Sequence, residues 1–287
     1  MISTSLLLFL NRFFPKPVHP FNLAASGGKS YGEWQYEKGA ETLAYFVRVQ
    51  SMEEILQGRD ILDVGCGAGG KALFYAKAGA RRVVGIDTVP SYAREANILA
   101  EKLGLSDKAV FLTADAVNTP FRDRSFDRII ANDFIEHIAG PKAWLREACR
   151  ILRPGGRLYV NFPPYWHPFG AHLTDVIGIP WVHCFCSEKT LVEAYRHLVA
   201  GSPDAGHRLS LKIGRNDQNA ECFTYINKMT IKRFKSIAKN APLQLKHFFT
   251  VPLREVLSPL SHLLPEYFTR MVVAIWESPL DEEQNAS

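Results

Sequence analysis

The sequence feature that most constrains the fold is the alternation of short apolar runs with amphipathic segments from residue 60 onward. The apolar runs stand at residues 60–65, 82–87, 109–115, 126–133 and 153–162, and segments with helical spacing separate most of them. Strands and helices that alternate in this way form parallel sheets with right-handed crossovers. We therefore expect a doubly wound α/β fold, in which ligands bind near the carboxyl ends of the strands.

Composition places the chain among soluble globular proteins with a large core. It has 287 residues, of which 47% are hydrophobic and 22% are charged, so a stable core needs no disulfide or metal. The five cysteines are scattered, which indicates a reducing, cytoplasmic compartment. Cys184 and Cys186 have no second pair of ligands at the spacing of a zinc site, so we expect them to be packed in the interior.

Two segments raise the question of a membrane or nucleic-acid partner. Residues 1–14 are apolar but fall short of the roughly 20 residues that span a bilayer. They form either a helix packed on the domain or a peripheral membrane anchor. Residues 211–254 carry nine Lys or Arg against two acidic residues. This excess forms either a solvated face or a surface for nucleic acid or anionic lipid, and we do not expect nucleic acid.

Glycine and acidic residues follow the first three apolar runs, where a ligand would lie. The first run ends in the glycine-rich turn of residues 63–70, where the backbone can bend sharply and approach a ligand. Asp87 after the second run can accept hydrogen bonds from a ribose diol, and Asp115 after the third can accept from an adenine amino group. The glycine pattern alone also fits dinucleotide enzymes. Asp63, two residues before the first glycine, better suits a sulfonium nucleoside with an amino-acid tail.

The segments ILDVGCGAGG, VVGID, TADA, FDRIIANDFIEHI and LRPGGRLYV occur in this order. Together they resemble the motif series of the class I S-adenosylmethionine-dependent methyltransferases. The resemblance implies a Rossmann-like fold with a seven-stranded, mostly parallel sheet, and S-adenosylmethionine as the cofactor. It assigns cofactor contacts to the turn, to the strand ends and to a lid before the first strand: Tyr31, Asp63, Gly65, Cys66, Gly67, Gly69, Asp87, Thr88, Asp115, Ala116 and Asn132.

The segment NDFIEHI after the fourth run contains candidate catalytic residues. It resembles the E-x-x-E-H segment of the ubiquinone-biosynthesis-type O-methyltransferases. In a helical turn, Asp133, Glu136 and His137 would share one face. Three interpretations remain open: His137 is a general base for a hydroxyl acceptor, the three side chains bind a divalent cation, or they form a structural turn.

Residues 163–228 are expected to form a cap inserted above the reactive centre, because Pro163 and Pro164 cannot continue a central strand. Aromatic side chains with a few polar groups make a small-molecule pocket. The candidate substrate contacts are Trp34, Tyr165, His167 and Trp181. His172 is a further candidate base, oriented by Asp175. The expected organisation is an N-terminal lid or anchor (1–57), the cofactor-binding core (58–162), the cap (163–228) and the completion of the core (229–287).

These observations predict an enzyme that transfers a methyl group from S-adenosylmethionine to a small, rather apolar acceptor, at a hydroxyl oxygen. Four alternatives stay open: methylation of a small molecule at carbon or nitrogen, methylation of RNA or protein through the basic region, a partner subunit without activity, and a nicotinamide oxidoreductase. The strand end at residues 132–135 lacks the proline-bounded tetrapeptide of amino-group methyltransferases, which disfavours the macromolecular alternative.

Overall fold

A seven-stranded sheet lies at the centre of the fold in the computed structural model, which describes residues 2–16, 19–23 and 28–280. Its strands are β1 (Asp60–Val64), β2 (Arg82–Asp87), β3 (Ala109–Thr113), β4 (Phe126–Asn132), β5 (Leu152–Phe162), β8 (Gln244–Pro252) and β9 (Thr269–Glu277). They lie in the order β3-β2-β1-β4-β5-β9-β8, and β9 runs antiparallel to its neighbours. The predicted doubly wound, mostly parallel sheet is therefore confirmed.

Helices cover the sheet and build the segments outside it. They are α1 (Thr4–Asn11), α2 (Pro20–Leu23), α3 (Tyr31–Glu37), α4 (Gly39–Leu43), α5 (Met52–Leu56), α6 (Gly70–Lys77), α7 (Pro90–Lys102), α8 (Pro141–Ile151), α9 (Val182–Phe185), α10 (Glu188–Val199), α11 (Ala205–Lys212), α12 (Ile231–Ala238), α13 (Ser258–Leu263) and α14 (Pro265–Phe268). Ser187 caps α10 by accepting a hydrogen bond from Thr190 N. Helix α7 begins at Pro90, whose fixed φ suits the first helical position.

The sheet is buried on both faces, as a parallel sheet with helices on either side must be. Ile61 and Leu62 are adjacent in β1, are both fully buried, and belong to two different apolar clusters. The first cluster packs under α8 and α12, and the second packs under α6 and α7. Burial on both faces explains why the strands read as continuous apolar runs rather than as alternating patterns.

The segment between β5 and α12 forms a cap with a core of its own. It contains α9, α10, α11 and a hairpin of β6 (Ile213–Arg215) and β7 (Glu221–Phe223). Helix α1 belongs to the cap, because Leu7 is buried in its core. Asn11 also donates to Val176 O at 2.8 Å and accepts from Gly178 N at 2.9 Å. The described helices include none long and apolar enough to cross a membrane.

Candidate active site

The glycine-rich turn between β1 and α6 forms an open backbone cradle. Gly65, Gly67 and Gly69 have φ angles of 69°, 54° and 77°, a region that residues with side chains rarely occupy. A Cβ atom at Gly65 would lie 2.6 Å from the Phe134 ring, and one at Gly67 would lie 3.1 Å from Tyr31. The turn therefore requires glycine both for its backbone conformation and for the space beside it.

Helix α3 covers this turn and is attached to it by Gln35. The Gln35 side-chain amide donates to Cys66 O at 3.3 Å and accepts from Gly70 N at 3.3 Å. Tyr31, four residues earlier, packs against Tyr92 with ring centroids 5.9 Å apart. The structure thus brings the predicted residue Tyr31 to the cradle. Sequence reasoning missed Gln35, because a glutamine that faces a loop gives the same local pattern as one that faces solvent.

Predicted acidic residues lie at the ends of the two neighbouring strands. The Asp87 carboxylate accepts from Gly67 N and from the backbone N–H two residues later, each at 3.0 Å. Thr88 is exposed beside it. The exposed Asp115 carboxylate accepts from Val117 N at 3.0 Å. Carboxylates at these two places can accept hydrogen bonds from a ribose diol and from an adenine amino group.

Asp63 places a buried carboxyl group at the end of β1. The residue is 2% exposed, and its Oδ2 atom has no hydrogen-bond partner in the described part of the chain. Burial raises the pKa of Asp63 to about 7. The charge of Lys71 opposes this rise, and the charge of Asp87 contributes to it. A buried acid without a partner is costly, and a cationic ammonium group would satisfy it. The cradle, the two strand-end carboxylates and Asp63 therefore fit S-adenosylmethionine.

Four other predicted cofactor residues face the core with their side chains or, for Gly69, with the place that a side chain would take. The Cys66 thiol packs beside Gly85, Ala116 is buried in the core, and the space beside Gly69 is filled by neighbouring side chains. Only the backbone of these three residues is available to a cofactor. Asn132 is also buried, and its Nδ2 atom donates to the Tyr75 hydroxyl at 3.1 Å.

We expect the affinity for S-adenosylmethionine to rise between about pH 6 and about pH 7.5, because an acid with a pKa near 7 gains its charge over this interval. Asp63→Asn should weaken binding about tenfold and abolish the dependence on pH. Asp107→Asn, which changes an exposed acid on the surface, serves as the matched control. Equilibrium binding at both pH values measures the effect, and equal affinities for the unmodified protein would contradict it.

Glu136, His137 and His172 converge on one another beside the cradle. Their ligand atoms all lie within 4.8 Å, and His172 Nε2 is 3.9 Å from Glu136 Oε1. The two imidazole rings meet edge to face with centroids 4.9 Å apart. Neither carboxylate oxygen of Glu136 has a hydrogen-bond partner among the residues that the structure describes. The segment after β4 supplies two of these side chains, and the cap supplies the third.

Residues of the cap hold both histidines in place. His137 Nδ1 lies 3.0 Å from Tyr225 O, so Nδ1–H donates to this carbonyl and Nε2 keeps its lone pair. His172 has a φ angle of 53°. Its carbonyl accepts from Lys212 Nζ at 2.7 Å and from the Tyr225 hydroxyl at 3.2 Å. These contacts stabilise an unusual backbone conformation that directs His172 toward Glu136.

The predicted pairing of His172 with Asp175 is wrong. Asp175 Oδ1 accepts from Lys212 Nζ at 2.8 Å, and Oδ2 accepts from the Tyr195 hydroxyl at 2.6 Å. The ion pair is buried, with side-chain exposures of 1% for Lys212 and 0% for Asp175. A charged ammonium is a stronger partner for a buried carboxylate than a neutral imidazole is. His172 faces Glu136 instead.

The predicted trio of Asp133, Glu136 and His137 is also corrected, because His172 takes the place of Asp133. Residues 135–137 form a turn rather than a helix, so the helical spacing behind the prediction is absent. Asp133 has a φ angle of 49° and is exposed. The negative charge of Asp133 nevertheless contributes to raising the pKa of Glu136.

Burial favours the neutral forms of all three groups in the cluster. It raises the pKa of Glu136 well above its usual value. It lowers the pKa of His137, which the hydrogen bond to Tyr225 partly opposes. Burial, together with the charges of His137 and Lys212, lowers the pKa of His172 well below its usual value. A neutral imidazole is ready to accept a proton from a substrate.

Two of the predicted substrate residues, Tyr165 and His167, belong to the first part of the cap. Tyr165 lines a cavity of about 40 Å³ together with His183. Burial and the charge of Arg270 lower the pKa of His167 to about 4, and a charge on His167 in turn lowers the pKa of His172. Arg270 was not predicted, because it belongs to the first residues of β9, which the sequence assigns to the core.

The other two predicted substrate residues lie on outer parts of the site. Trp34 stacks on Tyr31 in the lid, with ring centroids 6.3 Å apart. Trp181 packs against Phe268 of α14, with centroids 6.0 Å apart. The structure therefore does not bring all four aromatic and histidine side chains together around one point.

The basic late region is not one continuous face. Three of its cations form ion pairs: Lys212 with Asp175, Lys228 with Glu188 and Lys246 with Glu277. Helix α12 carries three exposed cations, Lys232, Arg233 and Lys235, and the exposed Lys239 follows as its C-terminal cap. The positive charge that the sequence concentrates in one segment is thus distributed over separate parts of the structure.

Residues 62–160 match a protein-family model described as a methyltransferase domain. The chain is 34% identical over 147 residues to tocopherol O-methyltransferase from Arabidopsis thaliana. This alignment covers 51% of this chain and 41% of that protein. It is 36% identical over 133 residues to 27-O-demethylrifamycin SV methyltransferase from Amycolatopsis mediterranei. That alignment covers 45% of this chain and 48% of the relative. The chain thus spans less than half the length of these relatives.

Among solved structures, the cyclase SpnF resembles this chain with a TM-score of 0.56 and 17% sequence identity. The alignment covers 91% of this chain and 92% of the cyclase. At this identity the likeness shows the fold alone, and the name of that protein describes a different reaction. The chemistry must therefore be argued from the site rather than from the fold.

Proposed function

We propose that the protein is a class I methyltransferase, of which residues 62–160 match the methyltransferase domain, and that it methylates a hydroxyl oxygen of a small, rather apolar acceptor with S-adenosylmethionine as methyl donor. Asp63, Gly65, Gly67 and Asp87 would hold the cofactor, and Asp115 would meet its adenine. When bound, S-adenosylmethionine supplies an electrophilic methyl group. The residues of this chain bind and orient the acceptor and accept its proton.

The observation that carries this proposal is the cluster of two imidazoles around the unpaired carboxyl group of Glu136. The cluster lies beside the cradle. The charge of Lys71 lowers the pKa of both Asp63 and Glu136, which indicates that the two carboxyl groups are near one another. Phe134, two residues before Glu136, packs against Gly65. A hydroxyl group placed here would meet a hydrogen-bonding carboxyl group and proton acceptors at once, which is what oxygen methylation requires.

We assign the role of general base to His137. The hydroxyl proton would pass to Nε2 of His137 as the methyl group moves to the acceptor oxygen and its bond to the sulfonium sulfur of S-adenosylmethionine breaks. The hydrogen bond from Nδ1–H to Tyr225 O keeps the required tautomer and stabilises the imidazolium that forms. Glu136 and His172 orient the hydroxyl group. The enzyme acts mainly by positioning, because a methyl transfer requires the reacting atoms to be in line.

The acceptor class is supported by the relatives and by the cap. The names of the curated relatives include tocopherol, a rifamycin and sterols as methylated compounds. Two of these names refer to oxygen, and the sterol enzyme is named for carbon. In this chain, Tyr165 and Trp166 form an aromatic pair in the first residues of the cap, with ring centroids 4.9 Å apart. Aromatic walls favour an apolar acceptor.

A divalent cation is the second candidate for activating the acceptor. Glu136, His137 and His172 offer one oxygen and two nitrogen ligands, which are donors that zinc and similar ions accept. The contact of His137 Nδ1 with Tyr225 O is also the kind that orients a metal-binding histidine. Such an ion would supply Lewis acidity that lowers the pKa of the acceptor hydroxyl.

The pH profile distinguishes the proposed base from an ordinary histidine. Because the pKa of His137 is lowered, its neutral form persists when the pH falls below the usual value of about 6.5. Turnover at saturating S-adenosylmethionine should therefore stay level from about pH 8 down to about pH 6.5 and decrease only below that value. A half-maximal rate at about pH 6.5 would contradict the lowered pKa. Loss of turnover on treatment with EDTA, restored by a divalent cation, would favour the metal mechanism.

The proposed function is tested with methyl-labelled S-adenosylmethionine and a panel of phenols, hydroquinones and sterols. We expect label in the organic-soluble fraction and a methyl ether in its mass spectrum. Label on carbon or nitrogen would contradict oxygen methylation. Label in added RNA or protein would contradict the acceptor class and direct attention to the cations of α12. Binding of the cofactor without any transfer would contradict enzymatic activity on these acceptors.

A further inference from the structure

Helix α1 leaves one apolar face uncovered although its other face packs on the cap. Leu7 is 1% exposed, whereas Leu6, Phe9 and Phe13 are 46%, 53% and 69% exposed. The spacing of three residues places Leu6 and Phe9 on one face of the helix, and Phe13 lies in the turn that follows the last helical residue, Asn11. The rings of Phe9 and Phe13 contact each other, with centroids 5.3 Å apart.

A second uncovered apolar segment lies between β8 and β9, where α13 and α14 are inserted. Val256 and Leu263 are 81% and 75% exposed. Leu260, Leu264 and Tyr267 are also exposed, at intervals of three or four residues. Only Ser261 of α13 is buried among the residues of that helix. The segment therefore directs most of its apolar side chains away from the protein.

The cap loop of residues 178–181 connects these two segments in space. A Cβ atom on Gly178 would lie 2.5 Å from Pro15 O, so this end of the loop contacts the residues just after α1. At its other end, Trp181 packs on Phe268 of α14. Three residues of chain reach at most about 10 Å. The residues just after α1 and those of α14 therefore lie at the two ends of this short loop. We name the exposed apolar side chains of residues 6–13 and 255–268 together the apolar surface.

The charges and ring types around the apolar surface match a lipid bilayer. Residues 4–16 contain Arg12 and Lys16 and no acidic residue, and both side chains are exposed. Glu266 of α14 caps α12 by accepting from Ile231 N and Lys232 N, which places the cations of that helix beside α14. Trp166 packs on Tyr267 at the edge, with centroids 5.8 Å apart. Trp and Tyr beside apolar groups and cations are typical of the membrane interface.

We propose that the apolar surface binds the headgroup–acyl boundary of an anionic membrane. The apolar side chains enter the boundary, and the flanking cations contact anionic headgroups. The proposal goes beyond methyl transfer and does not depend on it, because it concerns only where the protein is held. It also requires the segment at residues 255–268, which the N-terminal sequence alone does not suggest.

The test is cosedimentation of the full chain with vesicles of phosphatidylcholine, with and without phosphatidylglycerol. We expect binding to vesicles that contain phosphatidylglycerol, weakened by added salt. The variants F9S/F13S and V256S/L263S should each lose at least about tenfold in binding affinity for these vesicles. The control I98S/V110S changes side chains that are 60% and 42% exposed on α7 and β3 and should bind like the unmodified protein. Thermal unfolding by circular dichroism verifies that each variant is folded.

Three results would overturn the proposal. The first is a failure of the unmodified protein to bind either kind of vesicle. The second is a control that loses as much binding as the two surface variants. The third is self-association in solution that the surface variants abolish while vesicle binding is absent, since this would assign the apolar surface to a second copy of the chain. Membrane binding by an enzyme without detectable turnover would support the proposal and contradict only the proposed function.

Discussion

Replacing Asp175 with asparagine is expected to destabilise the folded protein by about 3–5 kcal/mol, because it leaves the buried charge of Lys212 without its counter-charge. The Lys212 ammonium is held by the Asp175 carboxylate at 2.8 Å and by the His172 carbonyl at 2.7 Å. Burial lowers the pKa of Lys212, and Asp175 opposes this change. Denaturant-induced unfolding, followed by tryptophan fluorescence, measures the loss.

The matched control is Asp123→Asn, which removes a carboxylate of the same size from an exposed ion pair. Asp123 is paired with Arg150 at 2.6 Å, and its side chain is 71% exposed. Pairs in contact with solvent contribute about 0–1 kcal/mol. Equal destabilisation by both variants would contradict the special cost of the buried pair. The double variant D175L/K212M should recover part of the loss, since it removes both charges.

Replacing His137 with alanine is expected to lower turnover by a factor of about 10² to 10⁴, the usual contribution of a general base. The affinity for S-adenosylmethionine should change less than about twofold, because the imidazole faces Glu136 and His172 rather than the glycine turn. Initial rates with a labelled methyl donor, together with equilibrium binding of that donor, separate the two effects.

His197→Ala provides the control for this prediction. His197 lies on α10 of the cap and is exposed, so its removal should leave turnover within about twofold. Turnover of the His137 variant that equals that of the control would exclude His137 as the base. In that case His172, whose Nε2 faces the same carboxylate, would be the histidine to replace next.

The cradle illustrates what local sequence can predict. Gly65 and Gly67 lie at the end of an apolar run that could only be a central strand, and Asp87 follows the next run. Parallel neighbours place their carboxyl ends at the same edge of a sheet. The proximity of Gly67 N and Asp87, which are 3.0 Å apart, therefore follows from the strand pattern alone.

The cluster around Glu136 illustrates what local sequence could not predict. The helical spacing assumed for Asp133, Glu136 and His137 fails, because the chain forms a single turn there. The third member, His172, comes from the cap, and its orientation depends on Lys212 and on a positive φ angle. No pattern near His172 in the chain specifies these partners.

The sequence by itself determined the doubly wound sheet, the glycine cradle and the presence of a cap, because strand and helix periods, glycine conformations and proline breaks are local properties. The tertiary structure alone decided which cap residues reach the cradle. Packing between α1, α10 and the 178–181 loop sets the position of the cap. The buried Lys212–Asp175 pair then directs His172 toward Glu136. Such contacts join segments far apart in the chain, and their free energy arises only when burial removes the charges from water.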